Sequence, residues 1–432
     1  MQKYLDEPTD SSQVPIRNLM DLQGLIENQI FVNFADPFNG EAQADNYYLT
    51  DADYDALTQQ QKNLYNWSND DIYESNITEW GYAYDLIYKA NTILDNLTRI
   101  ERTTINQRTW DDLKGQAHFL RAKALLQLST VHLLAYDKIN ANNTLGLPLR
   151  LGTDINEKIE RSTQEQTFNQ ILTDLKAAAP LLLTSPISKV RPSKQSALAL
   201  LARTYLGMQE YDSCFSYANQ ALTINGNIYD YNLASPTAAL PFAPELSNPE
   251  IFYASTGYYN YTMSQYTMKP DTVLYKSYKT NDLRKVIFFE ATGLHNFKGF
   301  YTGNSNFFSG IASNEVYLMR AEASARTGKI EQALLDLNLL LVKRYTTGTF
   351  VPITATNAEE ALTHILEERR KELPFSGLRW FDIKRLNQVN GNISLKRSIG
   401  GKIYNLPAKD LRFAIAIPPF VIRLSGQQQN PR

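Results

Sequence analysis

The sequence predicts a mainly α-helical fold: a right-handed stack of tetratricopeptide-like helix pairs, with a long irregular, aromatic-rich loop region and few short strands. Two segments fit the tetratricopeptide unit, a helix pair of about 34 residues with small side chains where its helices cross. Apolar stripes at helical spacing recur in three further long segments. Between the two repeats, 15 of the 57 residues from Phe252 to Phe308 are aromatic, against 11% of the whole 432-residue chain.

A short helix is expected within Asn18–Asn33, where Leu19, Leu22, Ile26 and Ile30 share a face. A polar, aromatic-studded segment runs from Asn46 to Glu79. Helices then follow over Trp80–Ile100 (stripe Ala83, Leu86, Ile87, Ala90, Ile93, Leu94, Leu97) and Asp111–Asp137 (stripe Ala117, Leu120, Ala124, Leu128, Val131, Leu134). A third covers Thr167–Leu183, with Pro186 marking its end. In the first clear repeat, Ala202, Tyr205, Cys214, Ala218 and Ala221 occupy the signature positions, with the turn at Gly207–Tyr211. In the second, Ala321, Ser324, Ala333, Leu337 and Leu340 occupy the same positions, with the turn at Thr327–Lys329. Asn225–Ala312, with Pro236, Pro241, Pro244, Pro249 and Pro270, is too long for a passive connector. A charged helix (Asn357–Leu373), a Gly/Trp turn and a strand- or loop-like, proline-rich C-terminus complete the chain.

Charge and cysteine content exclude several functions. Forty-three Lys and Arg against 45 Asp and Glu leave a net charge of −2, with no basic surplus for nucleic acid or anionic lipid. One cysteine, Cys214, allows no internal disulfide and no multi-cysteine metal centre, and its repeat position marks it as a small core residue. No run reaches the roughly 18 apolar residues of a membrane span. Met1–Asp10 is polar and is not a signal peptide, which fits either a cytoplasmic protein or a chain beginning after a removed export signal. Six Asn-x-Ser/Thr triplets are expected by chance in an Asn-rich chain.

The signals for catalysis are weak. His118, His132, His295 and His364 form no metal-binding pair, and the first two sit inside apolar helices as hydrogen-bonded structural residues. No phosphate-binding, dinucleotide or nucleophile-elbow motif occurs. Asp51, Asp53 and Asp55 cluster, but they read as a solvated turn and lack the glycine and closing glutamate of a calcium loop. No catalytic residue, metal site or cofactor is expected. Aromatic density is the stronger signal: nine aromatics fall between Tyr47 and Tyr84, and a second cluster is Phe252–Phe308. Aromatic faces in Asn/Ser/Thr-rich loops suit sugar rings, whose C–H faces stack on them while amides and carboxylates take the hydroxyls. Trp80, Tyr84 and Tyr88, at helical spacing, are expected in the core.

The string Ile365–Arg385 (ILEERRKELPFSGLRWFDIKR) resembles the signature of the SusD/RagB family, in which an ERRxEL helix leads into F-x-G-x-R-W-x-D-x-x-R. The matching residues are Glu368, Arg369, Arg370, Glu372, Leu373, Phe375, Gly377, Arg379, Trp380, Asp382 and Arg385, while Ser376 stands where the family often has Glu. Gly115–Leu126, Ala197–Leu206, Glu315–Gly328 and the terminal Gln429-Asn430-Pro431 also resemble family segments. Lys3-Tyr4-Leu5-Asp6 with Pro8 resembles the family's mature start after a lipidated cysteine, which is not in this sequence. The charged residues of the main motif read as an ion-pair network tying the last helix to the repeats, with Trp380 as an apolar plug.

The resemblance implies a non-enzymatic, lipid-anchored protein on the outer face of the Bacteroidetes outer membrane. It would capture a nutrient, usually a glycan, as a lid over a SusC-type TonB-dependent transporter. Membrane attachment would be only through the N-terminal lipid. The domain expectation is one SusD-like unit over 1–432: scaffold 80–225 and 313–372, aromatic-rich insertion 226–312, and C-terminal segment 373–432. Family ligand residues vary, so none carries over by motif. The expected ligand-binding residues are Trp67, Tyr73, Tyr258, Tyr259 and Tyr261, with Asn69, Asp70 and Asn260 beside them. Two other readings are a helical-repeat scaffold binding a partner peptide and a glycosidase.

Overall fold

Helix caps and apolar stripes set the scaffold. The computed structural model describes residues 16–27, 32–242, 244, 246–258, 260–389 and 391–432. Helix α1 (Leu19–Leu25) starts at an Asn18/Asp21 capping box, and the expected Ile30 position lies outside the described residues. Among the described residues, three short helices follow: α2 (Asn39–Gln43), α3 (Asp51–Asp55) and α4 (Gln59–Tyr65). The aspartate cluster is thus the polar start of α3, where the Thr50 hydroxyl donates to Asp53.

Helices α5 (Glu79–Leu97), α6 (Gln107–His132), α7 (Gln164–Leu181), α8 (Lys194–Gly207) and α9 (Tyr211–Ile224) pack in sequence, each on the next. The insertion contains α10 (Thr272–Ser277) and α11 (Arg284–Phe288). Beyond it, α12 (Ser313–Arg326) packs directly on α9, and then on α13 (Ile330–Leu341) and α14 (Ala358–Glu372). The tetratricopeptide-like stack therefore continues across the insertion. Ala202, Cys214, Ala218 and Ala221, like Ala321, Ala333, Leu337 and Leu340, are fully buried at helix crossings. Burial pushes the Cys214 thiol up, which keeps it protonated and inert. Gly207, the last residue of α8, has no room for a side chain, because the Phe381 ring lies 2.8 Å from where a Cβ would stand. His118 bonds Asp174 at 2.7 Å, beside the guanidinium of Arg121. No helix among the described residues is long and apolar enough to cross a membrane.

Among the described residues the strands form four antiparallel pairs: β1 (Tyr47–Tyr48) with β5 (Lys269–Pro270), β2 (Leu145–Pro148) with β3 (Arg161–Thr163), β4 (Ile251–Tyr253) with β6 (Ile311–Ala312), and β7 (Leu395–Ile399) with β8 (Lys402–Leu406). The β1–β5 pair joins the two aromatic-rich regions, opposing Tyr47 to Pro270. Together they build a second core containing Phe38, Tyr47, Tyr65, Tyr231, Phe288 and Trp380. Much of the aromatic excess is therefore structural.

The C-terminal motif forms the expected ion network. Arg369 and Arg385 both donate to Asp382 at 2.8 Å, and Arg385 also grips Glu322 of α12 at 2.6 and 2.8 Å. Glu372 accepts from Arg344 at 2.8 Å and from Arg284 at 3.2 Å. Arg379 reaches Asp45, while Arg370 reaches Asp45 and Asp271. Trp380, in α15 (Arg379–Gln388), is fully buried and donates to the Phe413 carbonyl at 3.2 Å. A last short helix, α16 (Pro419–Ser425), precedes the terminus.

Burial pushes the Glu322 carboxyl up, but the guanidinium of Arg385, with Arg326 and Arg369 behind it, outweighs burial and holds it at about 2. Replacing Arg385→Met leaves the buried Glu322 and Asp382 short of a partner. Urea unfolding should show a loss of about 3–5 kcal/mol, and a loss below 1 kcal/mol would contradict this account of the network.

Candidate functional site

Asp36 bridges Gly257, and residues 36–39, 256–258 and 260 meet the loop leading into α5. Two adjoining depressions result, sharing Ile77 and Thr78. The inner one, about 110 Å³, is lined by Asn39, Tyr73, Glu79, Tyr258 and Asn260. The outer one is open, about 480 Å³, and includes Asn76, Gly81, Tyr82, Asp85 and Lys89. The rings of Tyr82 and Tyr258 lie 5.5 Å apart at 41°, both half-buried. Ile77, 65% exposed, stands where the depressions meet.

The polar walls are held in place. Asn260 donates to Asn39 Oδ1 at 2.8 Å and accepts from the Thr262 backbone and hydroxyl, at 3.0 and 2.7 Å. Thr78 caps α5 by accepting from the Gly81 N–H. Asp85 pairs with Lys89 at 2.6 Å, one turn further on. Aromatic faces thus alternate with amides and charges along an opening large enough for saccharide units. A separate phenylalanine-lined cavity around Phe297, Phe300 and Phe307 holds only about 40 Å³, too small for a sugar ring.

Three expected residues meet here: Tyr73, Tyr258 and Asn260. Tyr73 offers its ring only, because its hydroxyl donates to the Ala416 carbonyl at 2.8 Å. Trp67 requires correction. A left-handed backbone (φ 58°) turns its indole inward, where it is 2% exposed, donates to the Gln43 carbonyl at 3.0 Å and lies 4.7 Å from the Arg397 guanidinium. It has no face for a ligand. Asn69 and Asp70 are exposed outside the depressions, and Asp70 accepts from Ser68 within its own turn. Tyr259 lies outside the described residues; Tyr261 begins a short 3-10 turn. Trp80 is buried, and Tyr84 is half-buried with its hydroxyl on the Pro148 carbonyl, but Tyr88 is 40% exposed and departs from the core expectation.

Sequence reasoning passed over Tyr82, Asp85 and Lys89 as site residues. Their spacing of three and four places them on one helix face, away from the Ala83, Leu86 and Ile87 stripe. An aromatic on the solvent side of an amphipathic helix was the available signal.

A family model described as starch-binding and associating with the outer membrane matches residues 3–206, and the SusD family model matches residues 248–418. The chain belongs to the SusD/RagB family. SusD-like protein P2 of Formosa agariphila is 22% identical over 372 residues, covering 72% of each chain. A SusD superfamily protein from Bacteroides thetaiotaomicron superposes with TM-score 0.78 at 20% identity, over 96% of this chain and 100% of that one. A SusD-like carbohydrate binding protein from Bacteroides vulgatus gives TM-score 0.69 at 18% identity, over 95% and 97%. These two share the fold. SusD/RagB membership makes this a carbohydrate-binding, outer-membrane-associated protein of the cell surface.

Trp67→Phe should cost about 1–3 kcal/mol in chemical denaturation by unpairing the Gln43 carbonyl, while leaving ligand affinity unchanged. A selective loss of affinity in a fully stable Trp67→Phe protein would return Trp67 to the site.

Proposed function

We propose that this SusD/RagB protein captures an oligosaccharide on the Tyr82–Tyr258 pair and passes it to a SusC-type TonB-dependent transporter. It acts as a binder and not as a catalyst, tethered to the outer membrane by a lipid near its N-terminus. The observation that carries the reading is the half-buried aromatic pair set between two polar-walled depressions. Two tilted rings offer apolar faces to successive pyranose units, while Asn39, Asn76, Asn260 and Asp85 lie within the same walls for the hydroxyls. The near-neutral net charge suits a ligand without strong charge.

The repeat stack supports the loops, not the helices, as the capture surface. Its helices already carry the chain's own segments: Phe381 packs on Gly207, and Tyr253 on Phe119 at 5.1 Å. A partner peptide would have to displace them. Affinity in the micromolar to millimolar range, about 4–8 kcal/mol, fits such stacking.

Affinity electrophoresis against a panel of plant, algal and microbial polysaccharides would find the ligand, and calorimetry would compare variants. Tyr82→Ala and Tyr258→Ala should each weaken binding about tenfold or more, roughly 1.4 kcal/mol, with the thermal midpoint little changed. Full affinity in both variants would reject this site. Crosslinking in cells should join the protein to an outer-membrane transporter, and release of reducing sugar by the purified protein would reject the binder reading.

A further inference from the structure

Behind the inner depression lies a pair of buried groups with complementary needs. Glu79 is 1% exposed and His132 fully buried. Glu79 Oε2 accepts from the backbone N–H groups of Phe38 and Asn39, at 2.6 and 2.9 Å, so this carboxyl holds the segment that forms one wall of the depression. Its other oxygen, Oε1, faces His132 Nε2 at 3.8 Å, beyond hydrogen-bond distance, and neither atom has a hydrogen-bond partner among the described residues. His132 Nδ1 lies 3.1 Å from the Ile415 carbonyl. A carbonyl only accepts, so Nδ1 carries the hydrogen, and Nε2 of the neutral ring presents a lone pair. An ionised Glu79 presents a lone pair as well. Two buried acceptors turned towards each other repel, and one proton between them satisfies both.

We propose that Glu79 carries on Oε1 a single proton that it shares with His132 Nε2 as the two atoms close to hydrogen-bond distance, and that Glu79 thereby acts as a positioning residue for the Phe38–Asn39 wall. Asn39 transmits that position to Asn260 across the depression. That this wall belongs to a glycan site rests on the function proposed above; the shared proton does not.

The surroundings leave the pair isolated. Tyr73 faces Glu79 from the loop before α5, but its hydroxyl is committed to Ala416. The Trp80 ring meets the imidazole edge-on at 4.9 Å. Lys384 of α15 and Arg161 of β3 are the cations that act on His132; Lys384 is held by the carbonyls of Thr130 and Leu133, and Arg161 by that of Gly146. Asp36, near Phe38, is paired with Lys123. Burial raises the Glu79 carboxyl to about 7, against the opposing pull of the Asn39 and Phe38 backbone N–H groups and of the Asn39 side chain. Burial lowers the His132 imidazole to about 3. The proton therefore rests on the Glu79 side.

The signs follow from linkage. The folded Glu79 carboxyl lies above its ordinary 4.5, so the stability that it contributes is fully present below pH 4.5 and is lost as pH rises through about 7. His132 is depressed from 6.5, so its contribution is present above 6.5 and lost as pH falls through about 3. The two slopes oppose between 4.5 and 6.5, and above 6.5 only that of Glu79 remains.

Glu79→Gln mimics the protonated acid, since its amide can donate to Nε2 without titrating. The wild-type thermal midpoint should fall from pH 6.5 to pH 8 relative to that of Glu79→Gln. In wild-type protein the buried imidazole should keep the Nδ1–H tautomer, with Nε2 hydrogen-bonded, down to pH 5 by nitrogen-15 NMR. Its Nε2 shift should move with a midpoint near 7 as the shared proton is lost. Parallel melting profiles, an imidazolium forming near pH 6.5, or an Nε2 shift unchanged between pH 6 and 8 would each overturn the proposal. Should Glu79→Gln fail to fold, the wild-type spectrum decides alone.

Discussion

The buried charge cluster around Glu372 joins parts of the chain that lie far apart in sequence. Glu372 ends α14, Arg344 follows α13, Arg284 belongs to the insertion, and Glu250 stands at the start of β4. Arg344 reaches Glu250 at 2.7 Å and Glu372 at 2.8 Å, all three side chains being closed to solvent. Asn314, at the start of α12, donates to Glu372 as well. Burying such charges is costly unless each is met by a partner and by hydrogen bonds. The pairing works only when the insertion lies against the repeats in one arrangement, so the cluster selects that arrangement more than it stabilises it.

With the insertion held, the second core can close. Two aromatic-rich segments, far apart in sequence, meet through the β1–β5 pair and interleave their rings. Gly257 shows how tight the contact is: a Cβ there would stand 2.2 Å from the Phe38 ring. The backbone of 256–258 is thereby fixed against residues 36–39, and the candidate site inherits that rigidity. Tyr258 comes from the insertion and Tyr82 from the first scaffold helix, so the platform exists only once both cores have formed. A preformed platform spends little binding energy on its own ordering.

The helices were legible because burial repeats every three or four residues, and each cap has a local chemistry. Ala83, Leu86, Ile87 and Ala90 announce α5, and Ser193 with Ser196 announces the start of α8. The motif arginines were legible as structural, though Arg284 and Arg344 were not, since they carry no motif and find their acids through tertiary folding. The site was legible only in part. Tyr258, Asn260 and Tyr73 stood in the right segments, but polar neighbours made Trp67 look exposed. Its fate depends on one left-handed residue and on Arg397, more than 300 positions away, neither of which local sequence displays.

Glu79 and His132 mark the limit of that legibility. Each looks unremarkable alone: a glutamate in the first turn of a helix, which the helix dipole favours, and a histidine at a helix end. Only the packing of α5 against α6, with the Ile415 carbonyl on the histidine, turns two ordinary residues into facing buried acceptors. Ionising Glu79 there removes the donor that His132 needs and leaves a buried charge met by the backbone N–H groups of Phe38 and Asn39 and by the Asn39 side chain, with no cation beside it among the described residues. The geometry of the Phe38–Asn39 wall and the location of one proton are therefore a single problem for this fold, because the same carboxyl serves both.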